Sequence, residues 1–223
     1  MTNRQSKFLQ QIIESYVISA EPVASGLLAG KSNVSSATIR NEMASLEEEG
    51  YIQQPHTSAG RIPTKKGYEY YLKYFLCPKM PTNIQKKKLD QARKTDLSVK
   101  AIAKELAELS NQAVLVAFAN NDFYYTGISK LFSQPEFHQP DAIVNISVVL
   151  DALDETLEQL YEAAVDDVQV LLGKENPFSH QCSLLIRKAR VSKNKKGVIA
   201  ILGPVRMNYN QNIGLLNYSA KIL

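Results

Sequence analysis

Between Ser35 and Pro63 the chain runs through a helical stretch with small and forked polar residues on one face, and then, past Gly50, through a short hairpin pattern with a polar tip. At ~100° per residue Met43 falls about 40° and Leu46 about 20° from Ile39, which makes an inward apolar seam. The opposite face carries Ala37, Arg40, Asn41, Ala44 and Ser45, with little bulk to stop the helix entering a major groove. Arginine pairs bidentately with guanine and asparagine with adenine. Ser35, the expected N-cap, together with Ser36 and Thr38, can reach phosphates beside free backbone N–H groups. An ordinary exposed helix face shows the same pattern, so the helix alone leaves both readings open. The hairpin pattern shifts the balance: Tyr51 to Gln54 reads as a strand, Pro55-His56-Thr57-Ser58-Ala59-Gly60 as a turn, and Arg61-Ile62-Pro63 as a returning strand. This is a β-wing behind a recognition helix. Thr64 caps the next helix and Lys65 and Lys66 stand in its first turn, where cations oppose the helix dipole at a cost of ~0.3 to 1 kcal/mol each that an adjacent phosphate offsets. A solvated helix start is the competing reading of the two lysines. His56 has no second ligand nearby, so a backbone or phosphate hydrogen bond suits it better than a metal.

Upstream, Leu9, Ile12, Ile13, Tyr16 and Val17 repeat at the spacing of an amphipathic helix over residues 4–17, capped by Thr2 or Asn3. Pro22 suits the first turn of a short helix running to Ala29 and ended by Gly30. Three helices in the first fifty residues, the second short, have the spacing of a helix-turn-helix unit. The aromatic cluster Tyr68, Tyr70, Tyr71, Tyr74 and Phe75 in the following helix reads as core and interdomain packing rather than base stacking.

A length of 223 residues allows two small domains, and 44% apolar against 22% charged residues is an ordinary globular composition that rules out whole-chain disorder. No apolar run reaches the ~20 residues needed to cross a bilayer, and the first residues lack the apolar core of a secretory signal, so a cytoplasmic protein without membrane contact is expected. Cys77 and Cys182 show no metal-ligand spacing, a reducing compartment argues against a structural disulfide between them, and both are expected as buried or partly buried thiols. His56, His138 and His180 are scattered singly, and no nucleophile with a nearby base, metal cluster or phosphate loop accompanies them, which argues against an enzyme and against a cofactor or metal. Net charge changes sign along the chain: +1 for residues 1–75, +4 for 76–110, −9 for 111–184 and +8 for 185–223. An acidic block between basic ones fits intramolecular complementarity, a face turned from a polyanion, or plain solvated faces.

The remainder reads as a linker over 77–96, hinge-like at Pro78 and Pro81 and passing into a polar helix whose lysine run is either solvated or in reach of flanking DNA backbone. A helix begins at Leu97, then strands over Ala113–Ala119 and Phe123–Ile128 around a turn at Asn120-Asn121-Asp122. A helical stretch over Ala142–Ala164 comes next, then strands over Val168–Leu172, Cys182–Val191 and Gly197–Leu202 and a closing helix over Asn210–Leu223. The expected class is α+β: a winged helix-turn-helix DNA-binding domain over 1–76, the linker 77–96, and a regulatory domain over 97–223 with an antiparallel sheet.

Glu21-Pro22-Val23, Val34-Ser35-Ser36-Ala37-Thr38-Ile39-Arg40-Asn41-Glu42-Met43, Leu46-Glu47-Glu48-Glu49-Gly50, Pro55 to Thr64 and Gly67-Tyr68 together resemble the amino-terminal half of the HrcA family of heat-inducible transcription repressors. Gly127 to Leu131, Gln134-Pro135-Glu136-Phe137, Gly173-Lys174-Glu175-Asn176, Gly197 to Pro204 and Arg206-Met207-Asn208-Tyr209 are similar to that family's GAF-like carboxyl-terminal domain. The resemblance implies a sequence-specific repressor of chaperone genes, bound as a dimer to double-stranded DNA at an inverted-repeat operator. It implies a chaperonin partner too. Its matching DNA-contacting elements are the helix from Ser36 and the wing around His56 to Arg61; together with the reading of the residues above, the expected DNA-binding residues are Ser35, Ser36, Ala37, Thr38, Arg40, Asn41, His56, Thr57, Ser58, Arg61, Lys65 and Lys66. Family members are longer and carry part of the GAF-like core and a dimerising insert where this chain has only Asn120 to Tyr125. A dimer of this chain would therefore use another surface or form only on DNA, and a monomer is the third option. The competing function is a ligand-responsive winged-helix regulator of other genes, a reading that the shortened core disfavours.

Overall fold

The computed structural model describes residues 1–30, 34–57, 59–95, 98–118, 122–138, 153–192 and 195–223. It divides into two compact units, Met1–Leu76 and Cys77–Leu223.

In the first unit α1 (Asn3–Ser19) starts from a capping box in which Thr2 accepts from the Gln5 amide and the Gln5 side chain accepts from the Thr2 amide. Phe8, Leu9, Ile12 and Ile13 bury its inner stripe. The second helix, α2 (Ser25–Ala29), begins three residues later than Pro22 led one to expect. Val23 pairs through both its N–H and its C=O with Arg61, each bond 2.9 Å, so Pro22 and Val23 are held extended and cannot enter a helical turn. Next come α3 (Ser36–Glu48), β1 (Ile52–Gln53), β2 (Ile62–Pro63) and α4 (Lys65–Tyr74). Gly50 adopts φ 75°, the left-handed conformation that lets the chain leave α3 and turn into β1.

The second unit opens with α5 (Asn83–Arg93), which starts from another capping box at Thr82 and buries Leu89 completely. This helix occupies the stretch read as a linker and packs against α6 (Ser98–Ser110). Its single apolar anchor and its lysine run hide an inward face from a periodicity argument. Strands β3 (Ala113–Ala117), β4 (Phe123–Thr126), β5 (Gln169–Leu172), β6 (Cys182–Ser192) and β7 (Lys195–Pro204) form one antiparallel sheet in the order β4-β3-β7-β6-β5. Between them lie α7 (Ile128–Phe132) and α8 (Leu153–Ala163), and α9 (Tyr209–Ile222) closes the chain. Ile128, expected at the end of a strand, starts α7 because Gly127 at φ 76° breaks the extended run. The expected helix over Ala142–Ala164 is observed from Leu153, and its residues 142–152 lie outside the described residues, as do 119–121 of the strand and turn before β4.

Alternation sorts the sheet into two buried faces. Ala113, Leu115 and Ala117, with Leu184, Ile186, Val198, Ala200 and Leu202, pack against Leu131, Phe137, Leu160 and Phe178. Val114, Val116, Leu185, Ile199 and Ile201 are buried on the other face, the side covered by α6 and α9. An α+β unit with helices on both faces of an antiparallel sheet is the result. Cys182 is buried at the start of β6, whereas Cys77 is exposed, contrary to expectation, because it precedes α5 on a surface segment.

Candidate nucleic-acid interface

Three buried residues, Ile39, Met43 and Leu46, seat α3 on the first unit's core and decide which face it presents. Ala37, Arg40, Asn41, Ala44 and Glu48 are consequently turned outward, and all five are exposed. The Ser35 side chain accepts from the Thr38 amide at 3.2 Å and stands 2.9 Å from the Thr38 hydroxyl, which fixes the start of the helix. Two contacts from α1 set its roll: Arg4 pairs with Glu42 at 2.6 Å, and the Gln5 side-chain amide donates to the Ser45 hydroxyl at 3.1 Å. Ser45, placed on the outward face by periodicity, is in fact half-buried and spent on this contact. Ser35 is exposed, and Ser36 and Thr38 are half-buried beside the first-turn N–H groups.

The hairpin after α3 is short, with Ile52 opposite Pro63 and Gln53 opposite Ile62. Its tip exposes Pro55, His56 and Thr57; Ser58 lies outside the described residues. The Gln54 side-chain amide ties the tip by donating to the carbonyls of Thr57 at 2.8 Å and Ala59 at 3.1 Å. Glu47, on the last turn of α3, holds the wing from both sides: one carboxylate oxygen accepts from the Gln54 backbone N–H at 2.9 Å, and the other from Arg61 Nε at 2.8 Å. The wing root is also pinned to Val23, and a Cβ on Gly60 would lie 2.5 Å from the Val23 carbonyl oxygen, so only glycine fits that approach.

The structure separates the expected cations into two groups. Arg40 is exposed and projects from α3, and Lys65 is exposed with an ion pair to Glu69 at 3.3 Å. Arg61 instead pairs with Glu47, and Lys66 Nζ donates to the Glu49 carbonyl at 2.7 Å while standing 4.4 Å over the Tyr51 ring. Lys66 opposes the dipole of its own helix but sits at the C-terminal end of α3, where a cation is favoured and satisfies an orphan carbonyl. Sequence reasoning did not find Glu47 and Gln54 as the residues that hold the wing. The only signal was an acid one turn before Gly50 facing an arginine across the hairpin, and it becomes readable once the strands are paired. In the aromatic cluster of α4, Tyr68 and Tyr71 are buried, and Tyr70 lies edge-on to Tyr51 at 5.6 Å between ring centroids.

Among the described residues no three His, Cys, Asp or Glu side chains stand together in a way that would hold a metal ion. No helix among them is long and apolar enough to cross a membrane.

A polar-faced helix with a clamped wing, joined in one chain to an α+β unit, defines a winged-helix regulator of transcription. The family model described as the HrcA protein C terminal domain matches residues 71–213. A curated relative, the heat-inducible transcription repressor HrcA of Lysinibacillus sphaericus, is 25% identical over an alignment of 329 positions that takes in 97% of this chain and 95% of the relative. Since this chain has 223 residues, at least 106 of those positions, 329 minus 223, face a gap in it. A crystal structure described as that of a hypothetical protein matches over 99% of this chain and 97% of that one, with a TM-score of 0.77 at 20% identity, and bears on the fold alone. The chain belongs to the HrcA family, a family of transcription repressors and not of enzymes.

Proposed function

We propose that this chain represses heat-shock genes that encode chaperones by occupying an inverted-repeat operator, with one α3 in the major groove of each half-site. The observation that carries the reading is the exposure of Arg40 and Asn41, with Ala37 and Ala44 beside them, on a helix held from both sides by α1 and the wing. Arg40 and Asn41 read base edges, and Ser35, Ser36 and Thr38 bind phosphate with the free N–H groups of the first turn. His56, Thr57, Ser58 and Lys65 contact the flanking backbone. Arg61 and Lys66 act first on the protein, the one fixing the wing and the other the end of α3. Residues 1–76 bind DNA, the α5 segment within 77–96 comes after them, and residues 97–223 set competence for binding. A two-fold repeat calls for two copies, and the alignment gap of at least 106 positions means that they would pair without whatever those positions supply in the relative. The chaperonin is the proposed partner that brings the repressor to its active form.

Selection from a random duplex library by the 223-residue chain tests this reading. Enrichment of a two-fold symmetric sequence is the expected result. A bound pool with no enrichment would remove sequence-specific repression from consideration.

A further inference from the structure

Helix α5 and its C-cap carry Lys86, Lys87, Lys88, Arg93 and Lys94 with Asp90 as the single acid. Lys88 is drawn toward Glu105 of α6 at 3.7 Å, but Lys86, Lys87 and Lys94 have no ion pair among the described residues. These three line an open cavity of about 370 Å³ with Asn83, Asp90, Gln91 and Tyr218 of α9. The acid in it is already occupied, since the Tyr218 hydroxyl donates to both Asp90 oxygens at 2.9 and 3.0 Å, and Lys86 Nζ stands 5.8 Å over the Tyr218 ring. Buried Leu89 fixes the roll of α5, so the lysine face is held outward by the core.

We infer that this groove on α5 is a second, sequence-independent binding site for the phosphodiester backbone of DNA. From Lys86 to Lys94 the row of charge is about 12 Å long at the helical rise, the axial span of roughly three phosphates of one strand. A single small anion would need a compact pocket with converging donors, whereas these are spread along a helix. The Asn83 and Gln91 amides supply further phosphate donors that carry no base preference. The inference rests on the DNA-binding reading of the first unit and gives the second unit a DNA contact of its own.

The test is the salt dependence of full-chain binding to a duplex of arbitrary sequence. A K86Q/K87Q/K94Q variant is compared with K86R/K87R/K94R and with K104Q/K174Q/K221Q, which removes three exposed lysines elsewhere in the same unit. The groove glutamine variant should lower the slope of log K against log salt by about two to three, while the arginine variant and the distant glutamine variant keep the wild-type slope. Equal loss in both glutamine variants would reduce the effect to net charge and overturn the site. Wild-type slope in the groove variant, with or without loss of saturable tripolyphosphate binding, would overturn it as well, and such a loss would assign the groove to a small polyphosphate. Wild-type protein that fails to bind any duplex would instead overturn the DNA-binding reading itself.

Discussion

Arg40 is exposed on α3, one turn from Ala37 and Ala44, so nothing on its own helix limits its approach to a base edge. Replacing it with alanine should cost about 1 to 3 kcal/mol on the selected sequence and relax discrimination at a single position. Equal losses on selected and random duplexes would reduce it to a phosphate contact. Cys182 makes a prediction of a different kind. Burial, with a smaller push from the Glu136 carboxylate and against a hydrogen bond from Ser179, raises its thiol from 9.0 to about 12. Below pH 9.0 the thiol is neutral in both states; above it the unfolded chain ionises while the fold does not. The stabilising effect is therefore complete below about pH 9 and is lost as pH rises through about 12. Relative to Cys182→Ala, the wild-type protein should lose about 1.4 kcal/mol per pH unit between about pH 9 and about pH 12 in urea denaturation. Parallel pH profiles for the two proteins would show that the thiol is not held neutral.

The wing is an element positioned by one side chain. Glu47 serves both the Gln54 amide and Arg61, and the pair is partly exposed, so Glu47→Gln should change stability by only about 0.2 to 1 kcal/mol. DNA affinity should fall further than that, because the hairpin is released from α3. Comparing the melting shift with the binding loss checks the claim, and losses of equal size would make Glu47 a stability residue and nothing more. At this scale sequence patterns served well where a cap or a seam is local: Thr2, Ser35 and Thr64 cap the helices expected of them, and Ile39, Met43 and Leu46 bury the seam of α3. They failed where a distant strand decides. Pro22 is compatible with a helix start, but Arg61 captures Val23.

Across the whole molecule the second unit was legible as α+β because its strands are apolar runs bounded by turn residues, and their order in the sheet was not, since pairing depends on contacts between residues far apart in sequence. The charge blocks meet only in part: Arg206, from the basic carboxyl-terminal stretch, pairs with Glu136 of the acidic one and bonds Gln134 beside it. Across β6 and β7, however, Arg190 stands opposite Lys196, a like-charge pair that the fold tolerates at a cost. The lysine run of α5 was ambiguous in sequence between a solvated face and a DNA contact, and the cavity beside Tyr218 is what favours the second.

We propose that one exposed helix face reads DNA in two copies. It is tested most directly by fluorescence anisotropy on the selected inverted repeat, its scrambled form and a single half-site at fixed salt, with sedimentation of the complex for stoichiometry. Preference for the full repeat with two chains per duplex is the predicted result. Equal weak binding to all three duplexes, or one chain on the full repeat, would contradict it.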